Sequence, residues 1–395
     1  MARVTSQAQS AVAVRRLRLT DFRSYAAARL DVDARPVVLT GPNGAGKTNL
    51  LEAVSFLAPG RGLRHARLAE VQRRGAPEEA GWAVAATVET PTGPVEIGTG
   101  REAAARATAK GAADRRVVRI DGRPARGQTA LAEHVAALWL TPQMDRLFLE
   151  GASQRRRFLD RLVYAFDAEH AGRLAAYEQA MRERLRLLKD GRMDDAWLAG
   201  LEDVMARNGV AVAAARLALA DDLAAVCRAR QAPFPAADLA VAGTVEAAVA
   251  AQPALAVEDD LRRRLAGERR LDAATGTTAS GPHRSDLLVR HLPKDMAAEH
   301  CSTGEQKVLL IAIVLAAVEL LGGLRRRMPL VLLDEVAAHL DATRRGALYD
   351  EIARLGVQAW LTGTDAALFA PLGDRAQFVR VDEAGLTPDD GTPCT

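Results

Sequence analysis

The octet Gly41-Pro42-Asn43-Gly44-Ala45-Gly46-Lys47-Thr48 constrains this chain more than any other feature, because it fits G-x-x-x-x-G-K-[ST] in the right setting. The apolar run Val37-Val38-Leu39 precedes it, and Leu50, Val54 and Leu57 follow at helical spacing. A strand, a glycine-rich turn and a helix in that order predict an α/β core with a phosphate loop. Backbone N–H groups of such a turn approach phosphates closely, and the helix N-terminus favours the anion. Lys47 then reaches the outer phosphates and Thr48 can ligate Mg2+. A glycine loop with a chance lysine is the plain alternative, and lysine is scarce: it occupies only positions 47, 110, 189, 294 and 307, against 48 arginines.

That arginine excess has a second consequence. With a net charge of only +3, the clusters Arg155-Arg156-Arg157, Arg262-Arg263-Arg264 and Arg325-Arg326-Arg327 are first read as solvated faces, not as nucleic-acid patches. Cys227, Cys301 and Cys394 are odd in number and widely spaced, so no disulfide framework is expected and a reducing compartment is. The N-terminal residues lack a sustained apolar segment, which predicts a cytoplasmic protein. The uncharged run Val308 to Val318 falls short of the roughly 20 residues of a membrane span, so it is expected to be a buried core helix.

At 395 residues the chain can hold an α/β core and a second domain. Alternation over residues 14 to 40 predicts strands, and residues 80 to 125 predict more β structure with an Asp121-Gly122 hairpin. From Phe166 to Lys189, Leu174, Tyr177, Met181, Leu185 and Leu188 recur at three-four spacing, predicting an amphipathic helix with short coiled-coil character. Further helices are expected over about 195 to 230 and 257 to 270, with residues 273 to 278 as a small-residue linker. Strands and helices alternate again from Asp286. The expected division is a head formed by residues 1–150 and 276–395, with a mostly helical arm at 151–275.

Three further segments carry chemistry. The strand Leu330 to Leu333 ends in Asp334 and Glu335, which suits Asp334 to hold a metal and Glu335 to orient and deprotonate water; such a pair can also simply cap a helix. Ser302-Thr303-Gly304-Glu305-Gln306-Lys307 opens the apolar helix, where an ordinary N-cap would look similar. Ala337-Ala338-His339-Leu340-Asp341 follows the acidic pair. Taken together, loop, signature-like segment, acidic strand and D-loop-like segment resemble ABC-type ATPases of the SMC group. The resemblance implies a composite site closed between two copies, in which Ser302, Gly304 and Gln306 of one copy and Asp341 join the nucleotide held at Lys47. It also implies that Gln143, in Leu140-Thr141-Pro142-Gln143-Met144-Asp145, is the glutamine that contacts metal and γ-phosphate during catalysis.

Within that group the chain resembles the RecF family of repair ATPases. The residues that carry this are Asp21-Phe22-Arg23-Ser24-Tyr25, Arg155-Arg156-Arg157-Phe158-Leu159-Asp160 and Gly281-Pro282-His283-Arg284-Ser285-Asp286-Leu287. The resemblance implies ATP and Mg2+ as cofactors, an ATP-dependent homodimer, sequence-neutral binding of DNA at single-strand/double-strand junctions, slow DNA-stimulated hydrolysis, and work with RecO and RecR in loading RecA. Arg61, Arg64, Arg67, Arg73 and Arg74 stand where repair ATPases of this type present basic residues to DNA; an arginine-rich surface is the alternative. Two positions depart from pattern: Thr364 replaces a switch histidine, and Ser285 replaces a carboxylate in G-P-H-R-D-D. His283 is read either as a ligand contact or as a hydrogen-bonded structural histidine. A transporter ATPase subunit shares the loop and acidic pair, but the separation of Thr48 from Ser302 is long for one. An SMC-like structural tether would need a longer arm.

Overall fold

The run Val37-Val38-Leu39 becomes the Val37–Thr40 strand of a six-stranded sheet in the computed structural model, which describes residues 10–77, 80–102, 116–191, 194–325, 327–383 and 385–389. The N-terminal residues before Ser10, Lys110, Arg326 and Cys394 lie outside the described residues. The strand order is Gly385–Asp389, Gln377–Asp382, Val37–Thr40, Ala359–Gly363, Leu330–Leu333 and Ala137–Leu140. Only the first pair is antiparallel. Parallel strands covered on both faces need unbroken apolar runs, which is why Val37–Leu39, Leu330–Leu333 and Ala137–Leu140 show no alternation and are buried throughout.

An antiparallel sheet accounts for the alternating segments, in the order Tyr25–Asp31, Ala13–Phe22, Trp82–Thr90, Gly93–Arg101, Arg116–Ile120 and Arg123–Pro124. One face carries Leu17, Leu19, Val84, Ala86 and Ile97 into the core, while the other is polar or small. Phe22, Phe56 and Trp82 meet edge-to-face beneath it, with centroids 5.1 to 5.9 Å apart. The predicted hairpin is present, with Asp121 and Gly122 both at positive φ.

The chain divides into two compact units, residues 1–144 with 314–395, and residues 145–313. Segment 276–313, expected with the head, falls in the second unit, because Asp286–His291 pairs along its length with Ala237–Ala242. That strand pairing was not anticipated in a helical block. Otherwise the second unit is built from Ala152–Phe166, His170–Lys189, Asp195–Arg228, Thr244–Ala251, Ala254–Gly267 and Arg269–Thr275. The linker expected at 273–278 is largely a helix end: Ala273 to Thr275 complete the last turn, and the buried Asp272 carboxylate accepts the Ala279 N–H at 2.9 Å. The long apolar helix Thr303–Arg325 is buried from Val308 to Val318, as expected of a core helix. Cys227 and Cys301 are free, buried thiols.

Candidate functional site

The glycine loop has little latitude. Gly41 has φ 144°, and a Cβ there would sit 2.0 Å from the Val381 carbonyl oxygen; at Gly46, with φ 112°, it would meet the Tyr25 hydroxyl at 2.7 Å. Asn43, Gly44 and Ala45 form the turn between them, which leads into the helix Lys47–Ser55. The Lys47 ammonium folds over the loop, donating to the carbonyls of Gly41 and Pro42 at 2.8 Å each. Desolvation holds its pKa below the usual lysine range, against the opposing pull of Glu335 and Asp334. The Thr48 hydroxyl donates to the Asp334 carboxylate at 2.9 Å. Thr362 donates to the same carboxylate at 2.8 Å and accepts the Glu335 N–H at 2.9 Å. Glu335 is half-buried and lies in the left-handed region, φ 54°, a costly conformation for a non-glycine residue and one typical of functional turns.

Register brings these residues together. Gly363 is paired with Thr40 and Leu333 with both Leu361 and Leu140, so the phosphate loop, Thr364, the acidic pair and the segment after Leu140 leave the sheet at the same edge. The Asp334 N–H donates to the Leu140 carbonyl at 2.9 Å, and Gln143 is exposed three residues beyond. Crevices at the carboxyl edge of parallel strands are the usual ligand sites of such sheets. Asp341 caps the helix Ala342–Leu355, accepting the Arg344 N–H at 2.9 Å, and keeps an exposed carboxylate.

The Asp21–Tyr25 motif braces the loop from behind. Arg23 grips the fully buried Glu52 carboxylate with two nitrogens, at 2.6 and 2.8 Å, and Arg64 adds a third contact at 2.9 Å. Ser24 accepts from Asn49, Asp21 pairs with Arg73, and the Tyr25 hydroxyl donates to the Gly46 carbonyl at 3.2 Å. Tyr25→Phe removes that one buried hydrogen bond, and a loss of about 0.5–1.5 kcal/mol in unfolding free energy is expected by denaturant titration. Arg116 was missed from sequence, being one arginine among many. It lies over the Phe56 ring and donates to the carbonyls of Phe56 and Gly60 just beyond the Lys47–Ser55 helix, where burial pushes its pKa down to about 9.

In the second unit, Ser302, Thr303 and Gly304 are exposed at the head of the apolar helix. Ser302 and Glu305 form a reciprocal capping box, so the ordinary N-cap expected there is real and presents the loop. Gln306 is buried beneath it, donating to the Cys301 carbonyl at 3.0 Å.

The two remaining family-like segments pack on one another. Arg155 makes a bidentate pair with Asp286 at 2.7 Å, and Arg156 donates to the Ser285 carbonyl. Arg216 grips Asp160 at 2.7 and 2.8 Å and reaches Ser285 Oγ at 2.9 Å, with Glu246 at 3.8 Å. The serine hydroxyl thus takes a place in this buried network. His283 Nε2 faces the Thr278 carbonyl, so it carries the proton, and Nδ1 accepts from Tyr177 at 2.6 Å. Burial lowers the His283 pKa, and its bonding is that of a structural histidine. Among the arginines expected at DNA, Arg64 and Arg73 are held by Glu52 and Asp21, whereas Arg61, Arg67 and Arg74 are exposed.

Fold and site together define an ABC/SMC-type ATPase head with an inserted, mostly helical unit. The family model described as RecF/RecN/SMC N terminal domain matches residues 13–381. The DNA replication and repair protein RecF of Allorhizobium ampelinum is 52% identical over 376 residues, covering 95% of this chain and 98% of that protein. Its counterpart from Rhizobium rhizogenes is 52% identical over 379 residues, with 95% and 98% covered. The chain belongs to the RecF/RecN/SMC family and, within it, to RecF. A solved structure of the recombination mediator protein RecF-ATP in the RecFOR pathway has the same fold, with a TM-score of 0.81 at 20% identity over 98% of this chain and 100% of that one.

Proposed function

We propose that this chain is an ATP-dependent DNA-binding protein of recombinational and replication-gap repair, a weak DNA-stimulated ATPase whose ATP-bound form is a homodimer clamped on DNA at single-strand/double-strand junctions. The observation that carries the reading is the bonded set Thr48, Asp334, Thr362 and Glu335, at one sheet edge with Lys47 and the exposed Gln143. Hydroxyl, carboxylate and amide oxygens suit a hard cation, so Thr48, Asp334 and Gln143 would hold Mg2+, which when bound neutralises charge on the β- and γ-phosphates.

Lys47 and the loop N–H groups bind the phosphates, with Gly41, Pro42, Asn43, Gly44, Ala45 and Gly46 shaping the cradle. Glu335 takes a proton from water as the water oxygen bonds to the γ-phosphorus and the bond to the bridging oxygen breaks, leaving ADP and phosphate. Ser302 and Gly304 of a second copy complete the γ-phosphate contacts, with Gln306 supporting their loop and Asp341 at the join. The similarity to RecF proteins of DNA replication and repair supports a place in DNA repair, and the RecFOR pathway of the solved RecF supports RecO and RecR as partners; loading of RecA together with them is part of the same proposal. A cytoplasmic location follows from that role.

The test is sedimentation of Glu335→Gln with saturating Mg-ATP. The variant is expected to remain dimeric while the parent chain returns to monomer as ATP is consumed. A variant that stays monomeric overturns the clamp.

A further inference from the structure

The register of the antiparallel sheet aligns one row of residues across its outward face: Arg29 opposite Arg18, Arg18 opposite Ala85, Ala85 opposite Gly98, and Gly98 opposite Arg119. All three arginines are exposed. Arg29 is paired with Asp31, but among the described residues neither Arg18 nor Arg119 has a carboxylate partner. Like charges directly opposite on neighbouring strands destabilise a sheet, so Arg18 beside Arg29 carries a cost that an anion would relieve.

Between the arginines the floor is low. Ala83 and Ala85 on one strand and Gly98 and Gly100 on the next line a shallow groove bordered by Arg119 and Arg101, with one carboxylate residue, Glu102, also at its edge. Three strand spacings of about 4.8 Å put Arg18 and Arg119 roughly 14 Å apart. That exceeds the rise of about 3.4 Å per phosphate on one strand and is of the order of the roughly 12 Å width of the major groove, between two phosphate rows. Among the described residues no aromatic ring opens onto the row or the floor: Trp82 lines the groove, but its ring is buried against Phe22 and Phe56 in the core. A surface for single strands would need aromatic platforms on which bases stack.

Taking the DNA reading above as given, we infer that this sheet face, through Arg18, Arg29 and Arg119 over the Ala85–Gly98 floor, carries the phosphate backbone of duplex DNA. The contact is sequence-neutral, because these side chains meet phosphates and not base edges. These are different residues from the arginines that follow the phosphate-loop helix, two of which are held by carboxylates.

The experiment measures binding of the full chain with Mg-ATP to a labelled short duplex, by fluorescence anisotropy over a salt series. The double variant Arg18→Gln/Arg119→Gln is expected to bind at least about tenfold more weakly near physiological salt, with the slope of log affinity against log salt reduced by about 2. Gly98→Glu supplies an independent probe. A Cβ at Gly98 lies 3.8 Å from the Arg119 Cβ, an ordinary contact, so the fold tolerates it while a carboxylate enters the groove. It should weaken duplex binding and leave ATP-driven dimerisation unchanged. If the parent binds the duplex and both variants match it in affinity and slope, this surface is wrong and the DNA reading stands. Loss of single-strand binding alone also overturns it. A parent that binds no duplex in ATP overturns both.

Discussion

Lys47→Ala should bind Mg-ATP about 10–100-fold more weakly than the parent chain, as read by isothermal titration calorimetry. The ammonium bridges the Gly41 and Pro42 carbonyls, so it is already anchored above the cradle where outer phosphates would sit. A charge-assisted hydrogen bond contributes about 1.5–3 kcal/mol, which is roughly one to two decades in affinity. ATP-dependent retention of DNA should fall with it, because the proposed clamp closes only on bound nucleotide. An affinity equal to the parent's would mean that the loop does not hold the triphosphate.

The largest loss of stability is expected in the second unit, at Arg184→Met. Arg184 is fully buried and donates to Glu202 at 2.9 Å, to Asp272 at 2.7 Å and to the Leu265 carbonyl at 2.6 Å. Arg269 also serves Glu202, at 2.6 and 2.9 Å, but among the described residues Asp272 would keep only the Ala279 N–H. Removing one partner of a buried pair leaves an uncompensated charge and costs about 3–5 kcal/mol. Two units need not unfold together, so the suitable measurement is hydrogen exchange along His170–Lys189 and Asp195–Arg228. Protection should fall throughout both helices. Arg182→Met is the control: its partner Glu178 lies 3.6 Å away on the surface, and such pairs contribute little. Equal effects from the two variants would show that the buried network is not what holds these helices.

Much of the candidate site was legible because its signals are local. Gly41 to Thr48, Leu330 to Glu335 and Ser302 to Lys307 each state a turn, a strand end or a helix start within a few residues, and the helix and hairpin periods need no distant partner. Arginine was the opposite case. With so many in the chain, nothing local separates Arg116, at the end of the phosphate-loop helix, from Arg182 on the surface. Arg155 and Arg156, read as a solvated face, are instead bound to Asp286 and Ser285 more than a hundred residues away. The strand Ala237–Ala242 was missed because its partner, Asp286–His291, is likewise remote in sequence.

By itself, then, the sequence determined the phosphate loop, the acidic strand end, the capped helix start and the alternation of the antiparallel sheet. Each depends on backbone geometry and side-chain period over a short window. Tertiary structure alone decided that Thr48, Thr362 and Glu335 gather at Asp334, that Arg23 and Arg64 share Glu52, and that Arg18, Arg29 and Arg119 fall in one row. Those juxtapositions depend on sheet order and strand register, which are set by packing between segments hundreds of residues apart.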